Sequence, residues 1–123
     1  MKFWSPCNGV TIVNDVLNAE MLEELREIME EEFPVLLETF LEESERQYLV
    51  AKSAWIGEDF DELRRAAHSL KGSCGNIGAE QLQRTCASLE DNARLSQPED
   101  IPELLQTVNT QLVEVSEAVK HHL

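Results

Sequence analysis

The segment formed by residues 66–78, with the sequence AAHSLKGSCGNIG, surrounds a histidine with residues suited to chemistry. His68 is followed by Lys71 three positions later and by Gly72 and Gly75 four and seven positions later. Successive residues of an α-helix turn by about 100°, so all four residues share one side of a helix. Glycine inside a helix costs about 1 kcal/mol relative to alanine. Two glycines beside a histidine therefore predict that another molecule approaches the imidazole closely.

The apolar residues of the same segment lie on the other side of the helix, so His68 is expected to face solvent. Arg64 and Arg65 precede the histidine by one turn and share its side with Asp61. The two arginines have two interpretations. They support the histidine, or they compensate the dipole of a helix whose first turn is acidic. The apolar stripe consists of Leu63, Ala66, Ala67, Leu70, Cys74 and Ile77.

A solvent-exposed imidazole is a competent acceptor of a phosphoryl group. An unperturbed imidazole has a pKa of about 6.5, so a large fraction is neutral in the cytosol. A neutral ring nitrogen can attack phosphorus, and a lysine one turn away can neutralise part of the charge of the product. A solvated surface histidine without any function is the competing interpretation. The lysine and the glycines around His68 argue against it.

Other chemistries lack their sequence patterns. There is no P-loop, and the glycines at positions 72, 75 and 78 follow a helix instead of a strand, so they are not a dinucleotide fingerprint. No Glu-x-x-His pair points toward a di-iron site. The other two histidines, His121 and His122, stand at the end of the chain. We therefore expect no metal and no cofactor bound by this chain itself.

The composition indicates a single acidic domain. The chain has 123 residues, of which 42% are hydrophobic, and a formal net charge of −14 from 24 acidic and 10 basic residues. This charge disfavours nucleic acid and anionic membranes as partners. No apolar run is long enough for a membrane span or resembles a signal peptide. Three cysteines without metal spacing (Cys7, Cys74 and Cys86) favour a cytoplasmic protein with reduced thiols, the last two of them in the core.

The hydrophobic periodicity predicts an all-α fold. Residues 1–17 lack a long period and are expected to form a loosely ordered arm. Asn18 is a candidate N-cap for a short helix over 19–30. Longer helices are predicted from Pro34 to residue 55 or 56, from Asp59 to a stop at Gly78, over 79–95, and, after a turn at 96–102, to His121. Short connections imply antiparallel neighbours. Residues 18–123 are thus expected to form an antiparallel up-down four-helix bundle with an additional short N-terminal helix.

In residues 68–79 the sequence resembles the histidine-containing phosphotransfer (HPt) domains of two-component phosphorelays. The family motif has the form His-x-Leu-Lys-Gly, followed by small residues and a further glycine. Here it stands as HSLKGSCGNIGA, and the similarity continues through Leu82 and the segment CASLE at 86–90 into the next helix. The resemblance covers about residues 19–120. It implies a four-helix bundle with the phosphorylated histidine on the second long helix.

The resemblance also implies roles for individual residues. His68 would be phosphorylated, Lys71 would balance the charge, and Gly72 would keep the site open. Glu90 stands where many members have a Gln or Glu that approaches the imidazole. Cys74 replaces a commoner Ser or Ala, from which only a packing effect is expected, and Gly75 adds flexibility late in the helix.

The implied function is that of a phosphorelay intermediate. His68 would accept a phosphoryl group from the aspartyl phosphate of a receiver domain in a hybrid sensor kinase and pass it to the receiver domain of a response regulator. Mg²⁺ would belong to the partner receiver domain. The chain is expected to act as a monomer and to have no kinase activity of its own. Candidate docking residues are Leu25, Ile28, Met29 and Phe33, for which a role in the core is the alternative.

Two other functions stay open. One is a helical adaptor that binds receiver domains without being phosphorylated, against which His68 and Lys71 argue. The other is the phosphate-accepting module of a larger chemotaxis-type kinase. The start methionine and the absence of a long linker at either end favour a complete small protein instead.

Overall fold

Five α-helices follow one another in the computed structural model, which describes residues 16–123. A 3₁₀ turn over Glu30–Glu32 joins the first helix to the second. The all-α prediction is confirmed, since these described residues contain no β-strand. The helices are α1 (Ala19–Met29), α2 (Phe33–Ile56), α3 (Phe60–Asn76), α4 (Glu80–Arg94) and α5 (Ile101–Lys120).

The four longer helices form the predicted up-and-down bundle. Helix α3 packs against α2 and α4, and α5 closes the bundle by packing against α4 and α2. The shorter α1 lies against the beginning of α2. No helix in the described part of the chain is both long and apolar enough to cross a membrane.

Side chains at the ends of the helices explain where several of them begin. The Oδ1 atom of Asn18 accepts a hydrogen bond of 3.0 Å from the backbone N–H of Met21, so Asn18 is the N-cap of α1 as predicted. Asp59 caps α3 in the same way, by accepting from the N–H of Glu62 at 3.0 Å. These two caps fix the starts of the short helix and of the helix that carries His68.

A residue with positive φ follows the end of each of the first four helices, namely Glu30, Glu58, Gly78 and Ser96. Gly78 has a φ of 75° after α3, as expected of a glycine stop. At the end of α2 the left-handed residue is Glu58, with a φ of 57°, whereas Gly57 keeps a φ of −84°. A glycine is therefore present at the end of α2, but the left-handed conformation that favours glycine is adopted by the next residue, Glu58.

The bundle core takes its side chains from all five helices. On α3, Leu63, Leu70 and Cys74 are fully buried, and on α4 Leu89 and Cys86 are equally inaccessible. The predicted burial of Cys74 and Cys86 is confirmed, whereas Cys7 lies outside the described residues. The buried stripe of α3 fixes the rotation of that helix and so determines which of its residues face outward.

The structure corrects two predicted boundaries. Most of the arm expected at residues 1–17 lies outside the described residues, but Leu17 is only 4% exposed and belongs to the core. The predicted turn at 96–102 is too long, because α5 begins at Ile101 and includes Pro102 in its first turn. Proline fits this position because the first N–H groups of a helix have no partner within it.

Candidate functional site

His68 projects from the middle of α3 into solvent. Its side chain is 64% exposed, whereas Ala67 and Leu70 on the inner side of the same helix are completely buried. The helix begins at the Asp59 cap and remains regular through Asn76. The imidazole therefore stands on a rigid helix whose opposite face is packed into the core.

Glu90 of α4 connects His68 with Lys71. Its Oε2 atom lies 2.9 Å from Nδ1 of His68, and its Oε1 atom lies 2.7 Å from Nζ of Lys71. The side chain of Glu90 is only 15% exposed, and that of Lys71 is 33% exposed. One carboxylate thus holds two side chains of the neighbouring helix, one with each oxygen.

Glu90 is ionised in this arrangement. Burial raises its pKa, but the hydrogen bonds from Lys71 and His68 outweigh burial, and the net pKa lies below the usual value. An ionised carboxylate can only accept hydrogen bonds. Nδ1 of His68 must therefore be the donor, and in a neutral ring Nε2 then carries the free lone pair.

The two glycines near His68 have different surroundings. A Cβ atom built on Gly72 would have nothing within 4 Å, so this position leaves open space beside the histidine. A Cβ atom on Gly75 would lie 2.8 Å from Nε2 of Gln83. Gly75 thus makes room for a side chain of α4, and its part in admitting another molecule stays a prediction. Gln83 was not singled out in the sequence.

The two arginines contact Asp61 instead of the histidine. Nη2 of Arg64 lies 3.0 Å from Oδ1 of Asp61, and Nη1 of Arg65 lies 2.6 Å from Oδ2. Arg65 also lies 3.8 Å from Glu62. These contacts are ion pairs within the first two turns of α3. Neither arginine lies in the last turn of the helix, where a cation would compensate the dipole, so the predicted dipole compensation is wrong for them.

The candidate docking residues differ in accessibility. Ile28 is 78% exposed, whereas Leu25 and Met29 are partly buried against the core. Phe33 is only 1% exposed and packs within the core, while the guanidinium of Arg26 lies 4.7 Å from its ring centre. The prediction of Phe33 as a docking residue is therefore wrong, because its side chain is covered.

The described residues offer no group of three or more His, Cys, Asp or Glu side chains placed to hold a metal ion. Around His68 the charged groups are instead a carboxylate and an ammonium that engage each other. This arrangement suits a nucleophile held in one orientation with a cation beside it.

Comparison with known proteins agrees with this geometry. The model of the family described as Hpt domain matches residues 35–118, which include α3 and α4 in full. The chain belongs to the Hpt domain family. It is an HPt protein of two-component phosphorelays, as the sequence resemblance implied.

Individual relatives resemble this HPt chain to different degrees. It is 32% identical over 84 residues to the phosphorelay protein LuxU of Vibrio harveyi, which covers 68% of this chain and 74% of the relative. The crystal structure of histidine-containing phosphotransfer protein B of Pseudomonas aeruginosa PAO1 aligns with a TM-score of 0.84 and 34% identity, covering 87% of this chain and 93% of the other. A putative histidine-containing phosphotransfer protein from rice, 15% identical, aligns with a TM-score of 0.77 over 93% of this chain and 90% of its own length, which shows the shared fold.

Proposed function

We propose that His68 is the residue of this HPt protein that is phosphorylated and dephosphorylated in the relay. Nε2 attacks the phosphorus of an aspartyl phosphate, the N–P bond forms, and the P–O bond to the aspartate breaks with its electron pair on the departing carboxylate. Transfer onward reverses these events at the aspartate of another receiver domain. The observation that carries the proposal is the bond of 2.9 Å between Nδ1 and Glu90, which directs Nε2 of a 64% exposed ring to the outside.

The neighbouring charges fit this step. Attack by Nε2 leaves the ring positively charged while Nδ1 keeps its proton, and the Glu90 carboxylate that accepts from Nδ1 offsets that charge. Lys71, held by the other oxygen of Glu90, lies one turn from His68 and can stabilise the phosphoryl oxygens. Phosphoryl transfer depends mainly on positioning and on charge stabilisation of this kind.

The proposed partners are the receiver domains of a hybrid sensor kinase and of response regulators. The receiver would supply Mg²⁺, and the HPt chain would supply the nucleophile as a cytoplasmic monomer. Gly72, with no atom near its Cβ position, leaves space for a partner beside the histidine. Ile28, exposed on α1, is the docking candidate that is accessible without any change of structure. Small interfaces with fast exchange suit such transient contacts.

The test is incubation with a receiver domain carrying ³²P on its aspartate. We expect label to appear on this chain within minutes and to be absent from His68→Gln. The matched control is His121→Gln, which removes another exposed histidine at the end of α5 and should accept label at the rate of the unchanged chain.

Three results would reject the proposal. Label on a histidine other than His68 would show that another residue accepts the phosphoryl group. Binding of the receiver without any label would make the chain an adaptor, and label retained in His68→Gln would exclude the imidazole as acceptor. Far-UV circular dichroism of each variant checks that the helices are intact, which is expected because His68 contributes nothing to the core.

A further inference from the structure

A group of charged side chains next to His68 is not used in the reaction described above. Asp61 lies in the first turn of α3 and holds Arg64 and Arg65, one with each carboxylate oxygen, at 3.0 Å and 2.6 Å. At a rise of about 1.5 Å per residue, the Cα atom of Arg64 lies about 6 Å along the helix from that of His68. The group therefore begins one turn away from the proposed site of phosphorylation.

The two arginines flank different sides of the histidine. With about 100° per residue, Arg64 lies about 40° from His68 on the side where Lys71 lies, and Arg65 lies about 60° away on the other side. Lys71 contacts Glu90 of α4, so Arg64 is on the flank that faces α4. The exposures agree with this assignment, because the side chain of Arg64 is 35% exposed and that of Arg65 is 56% exposed.

The direction of helical side chains brings a group on His68 toward Arg64. Side chains on an α-helix lean toward its N-terminus and cover the preceding turn. A phosphoryl group on the outer nitrogen of His68 would thus lie over the turn that contains Arg64 and Arg65. In the unphosphorylated chain Arg64 leans in the same direction, to Asp61, which is three residues earlier.

The charges around the site favour a change of partner for Arg64. A phosphoryl group adds nearly two negative charges to a chain whose net charge is already −14, and the Glu90 carboxylate remains close by. Lys71 is bound to Glu90 at 2.7 Å and only partly exposed. The Arg64–Asp61 pair lies at the surface, with Asp61 60% exposed. Exposed ion pairs of this kind contribute little, whereas arginine binds phosphate oxygens well with two parallel donors.

We propose that Arg64 is a phosphoryl-binding residue, which Asp61 holds while His68 is unmodified and releases when His68 is phosphorylated. Asp61 and the phosphoryl group then compete for the same guanidinium. Asp61 thereby sets how strongly the chain retains the phosphoryl group. This inference rests on the proposed phosphorylation of His68.

The experiment uses the full chain phosphorylated by phosphoramidate. This small donor passes its phosphoryl group to the ring nitrogen and releases ammonia, so no receiver domain is needed. The ³¹P chemical shift is followed against pH, and the midpoint at which the phosphoryl group loses its last proton is measured. A bound cation lowers that midpoint because it favours the dianion. The variants are Arg64→Gln, Arg64→Lys and Asp61→Asn, with Arg65→Gln as the matched control.

We expect Arg64→Gln to raise the midpoint by about half a pH unit to one pH unit, which is about a threefold to tenfold change in proton affinity. Arg64→Lys should keep most of the effect, and Asp61→Asn should lower the midpoint because it frees the guanidinium. Arg65→Gln should change it much less than Arg64→Gln. Equal shifts in Arg64→Gln and Arg65→Gln, or no shift in Arg64→Gln, would overturn the inference.

The same samples separate this inference from the proposed function. If phosphoramidate phosphorylates His68 but no phosphorylated receiver domain does, the relay function is rejected. The ³¹P titration can then still test the role of Arg64. Label from both donors with equal titrations in all variants would retain the function and reject the role of Arg64. Failure of both donors to label His68 would reject both.

Discussion

Nδ1 of His68 lies 2.9 Å from Oε2 of Glu90, although the two residues are 22 positions apart and belong to different helices. This contact fixes the orientation of the imidazole ring. It also places the ring proton on Nδ1, because an ionised carboxylate can only accept a hydrogen bond. The second oxygen of Glu90 binds Lys71 at 2.7 Å. The orientation of the nucleophile and the position of its cation thus depend on a single side chain of α4.

The first prediction concerns the tautomer of His68. We expect ¹⁵N-edited NMR above neutral pH to find the proton on Nδ1 in the unchanged chain. Glu90→Ala should abolish this preference and slow phosphoryl acceptance about tenfold, the size of one charge-assisted hydrogen bond. Glu90→Gln keeps an acceptor oxygen and should retain the tautomer with a smaller loss of rate. A proton found mainly on Nε2 in the unchanged chain would contradict the proposed attack by that nitrogen.

The second prediction concerns pH and the pKa of Glu90. Its folded pKa lies below the usual 4.5, despite burial, because of its bonds to Lys71 and His68. The native state therefore binds fewer protons than the unfolded state, and the stabilisation is complete above about pH 4.5. It is lost as the pH falls through the lowered folded value.

Urea unfolding of the unchanged chain and of Glu90→Gln between pH 3 and pH 7 checks this dependence. We expect a difference of about 1 kcal/mol near neutral pH that disappears toward pH 3. Glu24→Gln, at an exposed position of α1, controls for the removal of one negative charge from an acidic chain. A difference in the free energy of unfolding between the unchanged chain and Glu90→Gln that grows as the pH falls would contradict this prediction.

The sequence predicted those features that depend on local patterns. The spacing of Leu63, Leu70 and Cys74 placed His68 on the outer face of α3, and Asn18 marked the start of α1 correctly. The position of the Gln83 side chain where a Cβ of residue 75 would lie was not predictable, because it depends on how closely α3 and α4 approach each other. Glu90 was predicted only from the family resemblance. Its carboxylate lies beside the buried stripe of α4, and antiparallel packing of α3 and α4 could have suggested that it pairs with Lys71.

Phe33 and Leu17 show the limit of periodicity for a short helix. Phe33 directly follows the 3₁₀ turn, and Leu17 directly precedes the N-cap of α1. An apolar residue at the end of a helix suits either a core or an exposed surface. The packing of α1 against α2 covers Phe33 to 1% exposure and leaves Ile28 at 78%. Only the tertiary position of α1 makes Phe33 buried and Ile28 exposed, and no local sequence pattern contains that information.

The third prediction concerns the thiols of Cys74 and Cys86. Both side chains are fully buried, and a hydrogen bond with Cys86 together with burial raises the pKa of the Cys74 thiol well above its usual range. Because the thiolate is the reactive form, iodoacetamide should modify both residues only after unfolding. Mass spectrometry of the peptides from native and urea-treated protein measures this protection.

A matched position on the outer face of α3 controls for reagent access. Ser69 is exposed next to His68, so Ser69→Cys should be alkylated in the native protein at least about tenfold faster than Cys74 or Cys86. Rapid alkylation of the two buried cysteines at neutral pH, with the helices intact, would mean that α3 and α4 separate readily.

The fourth prediction compares three glycines by alanine substitution. Gly72→Ala should stabilise the bundle by about 0.5–1 kcal/mol, because the added methyl group meets nothing within 4 Å. Gly75→Ala should gain less, because the Gln83 amide must move. Gly78→Ala should destabilise by more than about 1 kcal/mol, since its φ is 75° and its Cβ would lie 2.8 Å from that of Asn18. Chemical denaturation gives all three values.

Larger substitutions at Gly72 separate stability from access to His68. Gly72→Leu should leave the bundle folded, because the position is open, and phosphoramidate should still modify the imidazole at nearly the original rate. Transfer from a phosphorylated receiver domain should fall at least about tenfold, because the leucine occupies space that the larger donor needs. Equal losses with both donors would mean that the leucine disturbs the His68–Glu90 contact itself. Unaltered transfer from the receiver would show that the partner approaches His68 from another side.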